Sequence, residues 1–261
     1  MDLILNDLLK FRRSHVWAVA FLVPVVAVAI GAGNYAANTG TLTAGWGSYF
    51  SQVMLFYGLL FCTAGIAILA AAAWRVEHRG HNWLTMLTST RSVSNLVASK
   101  IAAIAVTVAA MHAVLIGLTL FVGWALGIPG AVPGELLVAA LLALAPAVAV
   151  ASWQSLLSMV IRSFAAPIGI AVVASLVSFG ALAAGVPGVR FIVAPALLSH
   201  TLWLGSSAVA AAGALDTGTV TGVLAASAAL TVAGWAAAVA YLRGTDCLLY
   251  TSDAADDVAG V

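Results

Sequence analysis

Residues able to do chemistry are scarce in this chain, and the densest group of them is Glu77-His78-Arg79-Gly80-His81. A zinc protease needs His-Glu-x-x-His on one helix, so that two imidazoles share a face with an acid between them. Here the order is reversed and broken, and no third ligand follows. His78 and His81, three apart, share a helical face and read as a solvated surface rather than a metal site. ATP hydrolysis would need a Gly-Lys-Ser/Thr loop to cradle phosphates. The only lysines are Lys10 and Lys100, preceded by Leu9 and Ser99, so that route is closed. Intramembrane serine proteolysis would need a Gly-x-Ser-Gly segment, which does not occur. Cys62 and Cys247 have neither disulfide nor metal spacing; Cys62 sits in an apolar run and is expected to pack as a small hydrophobe. His112 and Gln154 are polar residues inside apolar runs, where each is either an interhelical hydrogen-bonding residue or part of an ion path. Glu135 opens another such run, where a helix N-terminus favours an acid without any function. The expectation is a non-catalytic chain with no cofactor or metal of its own.

The elements that would position these residues are read from composition. Of 261 residues 63% are apolar and 7% charged, and the mean hydropathy is +1.11. A soluble domain carries about a quarter charged residues to wet its surface, so the solvent of this chain is lipid. A net charge of +1 leaves no footprint for nucleic acid.

Crossing a bilayer takes ~20 mainly apolar residues in a helix. Six stretches qualify: 15–33, 52–74, 101–126, 136–160, 165–186 and 219–241. The first is expected to be a retained span rather than a cleaved signal, since five more follow it. Backbone amides in lipid pair internally, so the spans are helices, and Gly and Ala, as in the run 71–73, let them approach closely. Lys10, Arg12, Arg13, Arg75, Arg79, Arg91, Lys100, Arg162 and Arg243 then fall on one side, with Arg190 alone opposite. That asymmetry predicts cytoplasmic termini and a cytoplasmic 75–100 loop. Trp17, Trp74 and Trp83 are expected at the inner interface, and Trp46, Trp124 and Trp203 at the outer one, as an aromatic belt.

Three segments are neither plain spans nor plain loops. Residues 1–13 interleave Leu3, Ile4, Leu8 and Phe11 with Asp7, Lys10, Arg12 and Arg13, a pattern suited to a helix lying flat at the inner interface. In 75–100, Gly80 permits a turn, Trp83, Met86 and Leu87 share one helical face, and Ser92 or Ser94 is placed to cap the next helix. This short amphipathic helix either docks a soluble partner's groove or lies on the membrane surface. The third, 187–218, is apolar from Phe191 to Leu204 but broken by Pro195; it is either a re-entrant insertion or a buried interfacial loop. The tail 244–261 holds Asp246, Asp253, Asp256 and Asp257 with no periodicity. Its Cys-Leu-Leu-Tyr-Thr-Ser-Asp-Ala-Ala-Asp-Asp run resembles translated sequencing-adapter sequence, with a short disordered tail as the alternative; it is given no role. The expected fold is therefore an all-α integral membrane protein, residues 1–243 forming one six-span domain.

Around the 75–100 loop the chain resembles the permease subunit of a type-2 ABC exporter. The family is similar in length and in having six spans, cytoplasmic termini and an N-terminal interfacial helix with an acid followed by basics, as Asp7, Lys10, Arg12 and Arg13 stand here. It shows a glutamate after span 2, an amphipathic coupling helix, an arginine-containing break and a lysine entering span 3. Glu77, Trp83–Leu87, Arg91 and Lys100 occupy those places, and Asn82-Trp83 resembles the lantibiotic-immunity branch. The usual proline of the break is replaced by Thr88–Thr90. The resemblance implies a separate ATPase subunit docking on Glu77, Trp83, Met86, Leu87 and Arg91. It also implies a second permease copy, identical or paralogous, and an amphipathic or apolar cargo such as an antimicrobial peptide or drug, handled in the plasma membrane. A self-sufficient channel or secondary transporter using His112 or Gln154 is the alternative.

Overall fold

The computed structural model describes Asp7 and residues 16–78, 92–210 and 212–259, with side chains as far as Gly244. Among these residues all regular structure is helical. Six helices are long and apolar enough to span a membrane: α1 (Val16–Ala37), α2 (Trp46–His78), α3 (Val93–Ala125), α4 (Gly134–Val160), α5 (Ala165–Ala183) and, after two short helices, α8, whose apolar part is Thr217–Gly244. The short helices are α6 (Val189–Ile192) and α7 (Ala194–Leu202), and the helical backbone of α8 continues to Ala259.

All six expected spans are present, and two are much longer than hydropathy suggests. Helix α2 begins at Trp46 rather than 52 and ends at His78 rather than 74, and α3 begins at Val93 rather than 101. The extensions carry Ser48, Ser51, Glu77, Ser99 and Lys100, all buried. Hydropathy scores such residues as wet, whereas here other helices shield them. Ser92 takes the N-cap of α3, its Oγ accepting from the Asn95 amide at 3.5 Å. Helix α4 is interrupted at Ala143. Pro146 has no amide hydrogen for the Leu142 carbonyl and its ring crowds that group, which accounts for the break.

Helix α2 is the centre of the bundle. Its apolar window is 61% buried against 22% for α5, and it packs on α1, α4 and α5. Small residues set the spacing. A Cβ on Gly31 of α1 would stand 2.5 Å from the Val53 Cα of α2, and one on Gly234 of α8 would stand 2.7 Å from the Ser152 Oγ of α4. Ser152 also donates to the Thr231 carbonyl of α8 at 2.9 Å. Outward faces remain apolar: Phe21 and Leu22 on α1, Val173 and Val177 on α5, and Val232 on α8 are exposed, as lipid contact requires.

The tryptophans depart in part from a belt. Trp17 and Trp124, the latter 76% exposed, face outward, but Trp46, Trp74 and Trp203 are buried in the bundle. Trp74 is 0% exposed with the Lys100 ammonium 5.2 Å from its ring centre, and Trp203 donates to the Met54 carbonyl at 3.2 Å. Position near a span end does not separate a lipid-facing ring from a packed one. Trp83 lies outside the described residues.

The 187–218 segment folds back onto the bundle. Ser199 of α7 donates to the Gly58 carbonyl at 2.6 Å, and the Ser207 amide donates to Ser51 at 3.0 Å. At 1.5 Å per residue, Gly58 lies about 18 Å along α2 from Trp46, so α7 inserts well below the end of the span.

Candidate functional site: a buried ionic junction beside the 79–91 segment

At the end of the bundle where α2 stops and α3 begins, three charged residues far apart in sequence meet. Lys100 Nζ donates to Glu77 Oε1 at 2.8 Å and to the Ala73 carbonyl at 3.3 Å, and lies 3.6 Å from Asp7 Oδ1. Ser99 Oγ sits 3.1 Å from Asp7 Oδ2 and 2.9 Å from the Leu96 carbonyl, so its one proton serves either acceptor. Lys100 is 2% exposed, Glu77 3% and Asp7 7%. Buried charges persist only when paired and hydrogen-bonded, and Lys100 has both a carboxylate and a backbone carbonyl.

Local sequence explains why these side chains converge. Ser92 starts α3, which places Lys100 seven residues past Val93, about 10 Å into the helix and beyond the wet interface. Glu77 lies in the last turn of α2, one turn from Ala73, so Nζ bridges a side chain and a backbone acceptor on the same face. The rest of this end is tied in as well. His78 Nε2 donates to the Ser158 carbonyl of α4 at 2.8 Å, Arg75 lies over the Phe164 ring ahead of α5 at 5.0 Å, and Trp235 of α8 donates to the Ser94 carbonyl of α3 at 3.3 Å. The helices entering and leaving the 79–91 segment are thereby fixed to four other parts of the fold.

Sequence reasoning singled out Asp7, Glu77 and Lys100 as isolated landmarks; the structure makes them one site. The overlooked signal was the length of α3: a lysine eight residues after an N-capping serine is too deep to be solvated. Of the remaining expected docking residues, Trp83, Met86, Leu87 and Arg91 lie outside the described residues, as do Lys10, Arg12 and Arg13.

The two intramembrane polar candidates are not brought together. His112 of α3 is buried edge-on against Tyr57, with ring centres 5.4 Å apart. Its Nδ1 is 3.1 Å from the Val108 carbonyl and 3.3 Å from the Tyr57 hydroxyl. A carbonyl only accepts, so Nδ1 carries the proton and Nε2 is left without a partner. Tyr57 opens a π-helical turn, Tyr57–Phe61, inside α2, a distortion no sequence pattern announced. Gln154 is buried on α4 with Oε1 unpartnered, beside Ser155 and Ser158 whose hydroxyls are likewise unpartnered. Cys62 is buried and free. Among the described residues no group of His, Cys, Asp and Glu is arranged to hold a metal.

Comparison with known proteins points the same way. No curated protein matches the chain. The model of the ABC-2 family transporter proteins matches residues 3–178, well over half of the chain and inclusive of Asp7, Glu77, Lys100 and the 79–91 segment. With that match over a multi-pass helical bundle, the chain belongs to the ABC-2 transporter family of membrane proteins.

Proposed function

We propose that this chain is the non-catalytic permease subunit of an ABC exporter, driven by a separate ATPase subunit that docks on the 79–91 segment. The observation that carries this reading is the buried Asp7–Lys100–Glu77 junction, seated where that segment leaves α2 and enters α3. A docking element must transmit force to the spans, and both of its roots are clamped by ion pairs and hydrogen bonds rather than left to swing. Family membership supports an ATP-binding partner, and the chain's lack of a Gly-Lys-Ser/Thr loop is consistent with nucleotide being bound there.

In this reading Glu77 and Lys100 position the docking helix, Trp83, Met86 and Leu87 fill a groove on the ATPase, and Arg91 terminates it. Asp7, with Lys10, Arg12 and Arg13, anchors an interfacial helix to the same junction. Both termini and the docking face are cytoplasmic, on the evidence of basic-residue asymmetry, and the membrane is the plasma membrane. A second permease copy, identical or paralogous, completes the path. Spans almost free of charge favour an amphipathic or apolar cargo, such as an antimicrobial peptide or drug, entering from lipid. The Asn82-Trp83 pair after Glu77 supports a lantibiotic-immunity role.

The test is co-purification of the full chain with its ATPase from detergent. Trp83→Asp and Leu87→Asp proteins are expected to insert normally and lose the ATPase. Retention of the ATPase at wild-type yield by both would overturn the docking assignment. His112, with its unpartnered Nε2, and Gln154, with its unpartnered Oε1, favour a gradient-driven transporter as the second reading; unchanged flux in His112→Ala would count heavily against it.

A further inference from the structure

At the end of the bundle opposite the ionic junction, a cleft opens between α5, α6, α7 and the start of α8. It has two adjoining lobes, each of about 290 Å³, which share Arg190, Phe191 and His200 as a common wall. One lobe is apolar and aromatic, walled by Phe179, Leu182 and Trp203. The other is bounded by Asp216, Thr219 and Val223. Residues 179–223 lie beyond the portion matched by the family model, so nothing about the family's shared segment accounts for this cleft.

Its chemistry centres on Arg190, the lysine or arginine that lines this cleft. The guanidinium is stacked 4.9 Å from the Phe191 ring centre and donates to His200 Nε2 at 3.3 Å. His200 lies outside the six spans; burial first, and then the Arg190 charge, push its pKa down to about 4, so the imidazole is neutral and accepts. The Arg190 side chain is exposed and makes no ion pair with any carboxylate of the described residues. A guanidinium has five N–H donors in a fixed fork, and one hydrogen bond uses one of them. The remainder is a bidentate site for a phosphate or carboxylate. Asp216 is already engaged, its Oδ1 accepting from the Thr219 amide at 2.7 Å, which holds its carboxyl below the usual range. It faces the second lobe as an acceptor for an ammonium or hydroxyl group.

Position identifies the occupant. Phe179 and Leu182 are in the last turns of α5, Thr219 is in the first turn of α8, and Asp216 immediately precedes that helix. In a spanning bundle this is the level where headgroups meet acyl chains. A cation beside an aromatic slot, with an acceptor one lobe away, matches a phosphate joined to an acyl chain on one side and a hydroxyl or amine on the other. We propose that this cleft binds one glycerophospholipid of the bilayer, its phosphate on Arg190, its headgroup toward Asp216 and one acyl chain in the lobe beneath Trp203.

The test titrates delipidated full-length protein in detergent with short-chain phosphatidylglycerol, following thermal unfolding and counting retained lipid by native mass spectrometry. Arg190→Gln is expected to weaken binding at least about tenfold, the loss of a charge-assisted pair, with Arg190→Lys losing less. Val209→Trp, at a residue that lines the apolar lobe and leaves the Arg190 charge in place, is expected to weaken it as well. Unchanged binding in Arg190→Gln overturns the proposal. So does displacement of the lipid by inorganic phosphate at comparable concentration, which would make the site one for a free anion. Neither result bears on ATPase docking at the other end of the molecule.

Discussion

Replacing Lys100 by Met removes the cation from the junction while keeping side-chain length, and its consequence follows from burial. At 2.8 Å and an effective dielectric near 20, the Lys100–Glu77 attraction is about 6 kcal/mol in gross terms. Desolvating two ions costs several kcal/mol each, so the pair as a whole contributes little net stability. Removing one member is different. Glu77 and Asp7, 3% and 7% exposed, keep their desolvation cost without the Lys100 charge, and such breakage costs about 3–5 kcal/mol. Against a total stability of about 5–15 kcal/mol, that is a large loss. Glu77→Leu combined with Lys100→Met removes both charges of the short pair, and is expected to recover at least about 2 kcal/mol relative to the sum of the single variants. Recovery is partial because Asp7 remains. Reversible unfolding in mixed micelles, scored as a double-mutant cycle, supplies the numbers, and limited proteolysis near Asp7 reports whether the N-terminal segment detaches first. A Lys100→Met protein within about 0.5 kcal/mol of wild type would refute the argument, as would strict additivity of the two substitutions.

Gly31→Ala is expected to cost about 1–3 kcal/mol, because its Cβ would meet the Val53 backbone. Gly33→Ala on the same helix meets open space and is expected to be neutral or to stabilise by up to about 1 kcal/mol; micelle unfolding compares the two. Ser199→Ala is expected to cost about 1 kcal/mol by losing the hydrogen bond to Gly58, with increased hydrogen exchange in residues 194–210 as the local readout. Acidification should loosen the same segment. The His200 pKa is lowered to about 4 in the folded chain against an ordinary value near 6.5, so the unfolded chain binds the extra proton. Stability conferred by the neutral imidazole is present above about pH 6.5 and declines toward pH 4, and the decline should be absent in His200→Gln.

The bundle was legible in the sequence because lipid imposes length and apolarity on every span, and six runs of that kind are hard to hide. What remained illegible has a common physical origin: a residue's solvent is decided by neighbours distant in sequence. Lys100 reads as a wet basic residue before span 3, yet Glu77 and Asp7 supply its solvation inside the bundle. Trp74 reads as an interfacial ring and is instead packed beside that lysine. The π-helical turn at Tyr57 has no local signature, and its Gly58 carbonyl is met from α7, 141 positions later. The break in α4 could have been read from Pro146 by the loss of one amide donor.

The two ends of the molecule differ in how their charges are solvated. Lys100 is paired with Glu77 and Asp7 inside the bundle, so these charges hold helices in register. Arg190 is exposed beside a cleft whose two lobes are each about 290 Å³ and, among the described residues, spends one donor, on His200, so it is suited to meeting something outside. Equal charge types at span ends thus differ in burial, and on the two proposals above that difference separates their roles: Lys100 is sealed with its partners, whereas Arg190 is left open to a ligand. A conservative Lys100→Arg substitution tests the distinction, since the bulkier planar guanidinium has no room in a site where Lys100 is 2% exposed. It is expected to destabilise despite keeping the charge, whereas Arg190→Lys, at an open site, is expected to leave unfolding unchanged.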